Sequence, residues 1–132
     1  LEYTRDMAAD HARNRVQFGR PIGAFQGIKH RCADIALAAE LCWAQTLQAA
    51  QALSNNQPNN DSDAPFHVAS ALYLAGTEAL NAARFNIQAH GAMGFTDEVD
   101  AHRLLKRAHV LRQLFDDPRS VAVSLVDMPL EL

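Results

Sequence analysis

Between Arg15 and Gln26 the chain reads Arg-Val-Gln-Phe-Gly-Arg-Pro-Ile-Gly-Ala-Phe-Gln. Arg15 and Arg20 bring permanent positive charge on fork-shaped donors, the geometry that suits a phosphate or carboxylate. Phe18 and Phe25 bring ring faces, Gln17 and Gln26 bring amides that both donate and accept, and Gly19 and Gly23 allow close backbone approach. A phosphate-bearing nucleotide with an aromatic part fits this list. An ordinary corner between two helices fits it too.

A second stretch, Gln88-Ala-His-Gly-Ala-Met-Gly-Phe95, places Gly91 and Gly94 three apart at the end of a helical pattern. A tight turn there exposes backbone N–H groups to an anion, and a plain helix C-cap explains the glycines equally well. Glu98 and His102 stand four apart beside Asp100. No second ligand pair matches them, so a charged helix start is the preferred reading over a proton relay or half a metal site. Cys32 and Cys42 lie ten residues apart on one helical pattern, about 15 Å at the helical rise. That is beyond the roughly 7 Å a disulfide tolerates, so both are expected to be free thiols, which fits a cytoplasmic protein.

These stretches must be held by helices. Leu1 to Val16 reads as the tail of a helix with Met7, Ala8, Ala12 and Val16 on its apolar side, ended by Gly19 and Pro21. A second helix spans about Ala24 to Ser54. Its seam, Phe25, Ile28, Cys32, Ile35, Ala39 and Cys42, advances by threes and fours. Leu37, Leu41, Trp43 and Leu47 make it apolar on further sides, which predicts neighbours in its own bundle or across a subunit contact. Ser54 to Pro65 is polar and Asn-rich, a loop, with Asp63 placed to cap the next helix and Pro65 in its first turn. The third helix runs from Pro65 to His90 on Val68, Leu72, Ala75, Ala79, Ala83 and Ile87, with Leu80 and Phe85 beside the stripe. The fourth begins near Asp97 or Glu98 and continues to Phe115, burying Leu104, Ala108, Leu111 and Phe115. Asp117 caps a short last helix that opens on Pro118 and reaches about Val126. No strand is predicted. Short connections make the fold all-α, an up-down-up-down four-helix bundle with a short extra C-terminal helix.

The 132 residues, 48% apolar and 20% charged, suit one globular domain. A net charge of −3 gives no reason to expect nucleic acid or an anionic membrane as partner. Apolar runs are too short to span a bilayer. The chain opens inside a helical pattern at Leu1 without an initiator Met, and is expected to belong to something longer.

The run RVQFGRPIGAFQGIKHRCADI, together with QAHGAMGF at a similar distance downstream, resembles the two motifs of the C-terminal helical domain of acyl-CoA dehydrogenases. The resemblance extends from about Tyr3 to about Val123. It implies that residues 1–132 are that domain, with the family's N-terminal helical and middle β-domains lying elsewhere. It implies FAD as cofactor: the Arg15 equivalent reaches the pyrophosphate of an FAD held mainly by a neighbouring subunit, the Phe18 equivalent lies near the same dinucleotide, and Gln17 and Gln26 fall at cofactor-side positions. The equivalents of Gln88 and Gly91 contact its adenosine and pyrophosphate side. Ala92 stands where the family usually has a second glycine. The implied reaction oxidises an acyl-CoA to its trans-2-enoyl-CoA, with an electron-transfer flavoprotein reoxidising the flavin. Asp116 is the nearest match to the catalytic carboxylate, one methylene short of the usual Glu; other family members carry that base on an upstream helix. A homo- or hetero-oligomer follows, and this chain alone is expected to be inactive. The alternatives are a partner subunit that only completes an FAD site, a helical interaction module without ligand, and an acyl-CoA oxidase.

Overall fold

Apolar residues spaced by threes and fours put one stripe on each helix, and five helices bury those stripes together. The computed structural model describes residues 1–55, 63–114 and 118–128. In chain order the elements are α1 (Glu2–Asn14), β1 (Val16–Gln17), β2 (Arg20–Pro21), a 3-10 turn (Ile22–Ala24), α2 (Gln26–Asn55), α3 (Ala64–His90), a second 3-10 turn (Gly91–Phe95), α4 (Ala101–Gln113) and α5 (Pro118–Asp127). The helical bundle expected from periodicity is present. Its hub is α3, which packs against α1, α2, α4, α5 and the second 3-10 turn.

The core is mostly alanine. Ala8 and Ala12 of α1, Ala38 and Ala39 of α2, Ala82 and Ala83 of α3 and Ala101 and Ala108 of α4 are all buried. Small side chains let helix backbones approach closely, but each covers little apolar area. Larger side chains stay in solvent: Leu37, Leu41, Trp43 and Leu47 of α2 are each at least half exposed. Leu80 differs from the sequence expectation. It is 2% exposed and forms the centre of a cluster with Ala83 and Ala108, flanked by Ala79 and Leu105. The reason is α4, which lies over that side of α3 and draws Leu80 inward.

Three further boundaries differ. Val16, expected on the apolar stripe of the first helix, is 55% exposed, because α1 ends at Asn14 and the chain turns into a hairpin with Val16 opposite Pro21 and Gln17 opposite Arg20. Its ladder is two residues long per strand, too short for an alternation signal. The fourth helix begins at Ala101 rather than at residue 97 or 98, because the residues before it turn back on the helix start. Asp97 lies 3.4 Å from His102 Nε2 and Asp100 accepts from Arg103 at 3.0 Å. Asp63 sits at the N-cap of α3 but its carboxylate makes no cap bond. Its ψ of 1° lies outside the extended region in which a capping side chain reaches the first free amides. The expected cap at Asp117 and the buried side chain at Phe115 lie outside the described residues, as does residue stretch 56–62 of the Asn-rich loop.

Two glycines bind the turns to the helices. A Cβ at Gly23 would stand 2.9 Å from the Ala12 carbonyl oxygen, so the first 3-10 turn lies flat on α1. A Cβ at Gly94 would stand 2.7 Å from the Ile87 oxygen, so the second folds back on the end of α3. The close approach that Gly23 provides is to the chain's own backbone. Cys32 and Cys42 are free, as expected, and burial pushes both thiols up, which disfavours the reactive thiolate. Among the described residues no helix is long and apolar enough to cross a membrane.

Candidate functional site

Arg15 closes α1 in an extended conformation, φ −76° and ψ 117°. Its amide donates to the His11 carbonyl at 2.9 Å, and its carbonyl accepts from the Ile22 amide at 2.8 Å. Both backbone groups are therefore fixed while the guanidinium stands in solvent. The hairpin that follows turns on Phe18 (φ 52°) and Gly19 (φ 77°), both left-handed. Two positive-φ residues between paired strands match a type I′ turn, whose twist suits a hairpin. Glycine takes this conformation freely. For Phe18 it is strained by about 1–2 kcal/mol.

That strain holds the Phe18 ring 91% exposed. Its edge meets the Phe25 ring at 6.1 Å with the planes at 83°, and the Arg20 guanidinium lies over Phe25 at 4.1 Å. The result is a cationic aromatic knob outside the bundle's own core, with Gln17 on β1 and Gln26 at the first position of α2 exposed near it in sequence. A backbone outlier of this kind makes the hairpin tip a candidate functional feature. Replacing Phe18 with glycine is expected to leave folding unchanged or stabilise it by about 1 kcal/mol, by removing the strain. The same change should weaken any ligand or partner seated on the knob. Chemical denaturation and flavin retention measured on one preparation check both halves.

The second motif lies at the end of α3. Gly91 takes φ 63° at the C-cap, with its amide donating to the Gln88 carbonyl. A Cβ there would meet nothing within 4 Å, so its backbone is open to an approaching group. Ala92 beside it is exposed as well. Gln88, one turn earlier, is also exposed. It lines a groove of about 630 Å³ between α2 and α3, together with Arg31, Asp34, Glu78, Asn81 and Arg84.

The two motifs are joined by a contact that sequence spacing did not reveal. The rings of His11 and His90 stack at 3.8 Å with 26° between planes. The amide of Arg15 rests on the carbonyl of His11, and His90 is the residue before Gly91. Burial pushes His11 below its ordinary value, and the charges of His90 and Arg15 push the same way. The only signal in the sequence was the presence of a His within each motif's flank.

Asp116 lies outside the described residues. Among the described residues no carboxylate is buried, and no group of three His, Cys, Asp or Glu could hold a metal ion. At the start of α4 it is Asp97, and not the expected Glu98, that lies beside His102, while Asp100 pairs with Arg103.

An exposed, backbone-fixed arginine and a strained, exposed aromatic thus lie on one side of the His11–His90 stack, and a glycine turn at the end of a long bundle helix lies on the other. Residues 2–115 match the family model described as acyl-CoA dehydrogenase, C-terminal domain, and the chain belongs to that family. It is 41% identical over 116 residues to the acyl-CoA dehydrogenase IpdE2 of Mycobacterium tuberculosis, covering 87% of this chain and 33% of the relative. It is 32% identical over 107 residues to the 3-sulfinopropanoyl-CoA desulfinase of Paraburkholderia xenovorans, covering 80% of this chain and 26% of that protein. The ChsE4-ChsE5 complex from Mycobacterium tuberculosis superposes with a TM-score of 0.83 at 26% identity, covering 98% of this chain and 35% of that one. The chain thus spans about a quarter to a third of the length of these relatives.

Proposed function

We propose that residues 1–132 are the C-terminal bundle of an FAD-dependent acyl-CoA dehydrogenase, and that they supply an oligomer interface and part of an FAD site across it. The N-terminal helical and middle β-domains belong to the rest of the protein. The observation that carries the cofactor reading is Phe18, held 91% exposed at strained φ beside the fixed and exposed Arg15. The residues fit a dinucleotide. Arg15 offers a forked cation for the pyrophosphate, Phe18 a ring face, Gln17 and Gln26 amides, and Gln88 and the open Gly91 backbone a polar seat for the adenosine side. FAD, when bound, supplies the hydride acceptor for oxidation of an acyl-CoA to its trans-2-enoyl-CoA. These six residues hold and orient it and take no part in bond breaking. An electron-transfer flavoprotein is the proposed reoxidant, and the cytoplasm the proposed compartment.

The base that removes the substrate's α-proton needs burial to work near neutrality. No described carboxylate has it, so that role falls to Asp116 or to another part of the protein. This same observation favours a second reading, a subunit that completes an FAD site for a catalytic partner. In either case this chain alone has no dehydrogenase activity.

The interface reading rests on α2. Leu37 and Leu41 are one turn apart, 62% and 50% exposed, on the face opposite the buried Ile35, Ala38, Ala39 and Cys42. Such a stripe is an interaction surface. The assembled protein is expected to retain flavin through desalting. Leu37→Asp with Leu41→Asp should lower its mass by light scattering and release flavin while helical content persists. Lack of flavin after reconstitution would count against the cofactor reading, and an unchanged mass against the interface.

A further inference from the structure

The stacked rings of His11 and His90 lie between the two arms of the candidate site and belong to neither. Each ring is tied to the last turn of α3. His90 Nδ1 donates to the Asn86 carbonyl at 2.8 Å, and a ring N–H of His11 meets the Ala89 carbonyl. The pair therefore clamps α1 to the end of α3, 79 residues further along the chain, through one face-to-face contact of 3.8 Å. Behind it Asn86, 0% exposed, donates to the Met7 sulfur at 3.0 Å and makes the same α1–α3 seam rigid.

We propose that the stack of His11 on His90 is a proton-sensitive positioning contact: with His11 neutral it ties the end of α1, from which Arg15 leads, to the end of α3, from which Gly91 leads, and protonation of His11 opens the stack and lets the two arms separate. The inference rests on the reading of these arms as a dinucleotide site. Neither histidine is assigned contact with the ligand. Stacked imidazoles tolerate each other when neutral. A charged His11 ring, partly buried against His90, is disfavoured by that burial.

The groups that act on His11 agree. Burial disfavours its charged form first, then the charge of His90 from α3, then that of Arg15 just past α1; the Ala89 carbonyl opposes them. Asp10, the nearest acid in sequence, is engaged by Arg13 at 2.6 Å. Neither α2 nor the first 3-10 turn contributes a charge to the balance among the described residues. The sign follows. His11 sits below its ordinary 6.5 in the folded state. Its contribution is therefore complete above that value and is lost as pH falls through the folded one.

The test is hydrogen exchange of the full protein at a series of pH values, corrected for intrinsic rates, in the wild type and in His11→Phe, which stacks but cannot titrate. Segments 11–26 and 86–96 should lose protection together in the wild type as pH falls below about 6.5, and keep it in the variant. Equilibrium FAD binding over the same fall in pH should weaken about tenfold in the wild type and less than about twofold in His11→Phe. His11→Tyr, a second ring that does not titrate there, must behave as His11→Phe does. Equal pH profiles in wild type and variants, or tighter FAD binding at low pH, would overturn the proposal. If the wild type binds no FAD at any pH, the cofactor reading fails, and the exchange profiles decide the pair by themselves.

Discussion

Arg15→Ala is expected to weaken FAD binding by the assembled protein roughly thirty- to a hundredfold, about 2–3 kcal/mol, while its unfolding midpoint stays in place. The two halves of this expectation have separate causes. The guanidinium is exposed, so its removal opens no cavity and strands no buried partner. The backbone, φ −76° and ψ 117°, is open to any residue, and alanine keeps both of its main-chain bonds to His11 and Ile22. What disappears is a forked cation at a fixed place. Arg15→Lys should restore charge without the fork, and so recover only part of the affinity. Titration of the apoprotein with FAD, followed by flavin fluorescence, measures the change. Wild-type affinity in Arg15→Ala would remove this residue from the site and leave the bundle as an interaction module.

Leu80→Ala should cost about 3–4 kcal/mol of folding stability, the largest effect of any single truncation in the core. Leu80 is 2% exposed and touches Ala79, Ala83, Ala108 and Leu105. Three of those four neighbours are alanines, which have no side-chain freedom with which to fill the hole. The site collapses poorly, and poor collapse puts the cost at the upper part of the usual range. Against a typical domain stability of 5–15 kcal/mol the loss is large. Leu37→Ala is the contrast, since its side chain is 62% exposed. At a concentration where the protein is dissociated it should change stability by less than about 0.5 kcal/mol. Urea unfolding with an unchanged slope isolates both numbers. A loss under about 1 kcal/mol for Leu80→Ala would mean that α4 does not seal α3 as described.

The alanine core and the exposed leucines are two sides of one property. Helices packed through alanine come close but remove little apolar surface from water. Surface on the outer face of α2 is then left for a neighbour to cover. The chain belongs to the family of the acyl-CoA dehydrogenase C-terminal domain, and the exposed stripe on α2 is the apolar surface its own bundle leaves uncovered.

The sequence by itself determined the helices, their order, the family and the two motifs. Helical periodicity is local, so every turn repeats the same message, and helix ends came out within about three residues. Gly91 was readable as the stop of α3 because a left-handed cap favours glycine wherever it occurs. Tertiary structure alone decided the rest. A hairpin of two residues per strand is too short for any period, and its left-handed Phe18 runs against intrinsic preference. The inward turn of Leu80 depends on where α4 lies, and the close approach of Gly23 on the position of Ala12. The contact of His11 with His90 joins residues 79 apart, and no spacing rule relates them. These features come from side chains meeting across helices. They exist only after the bundle has closed.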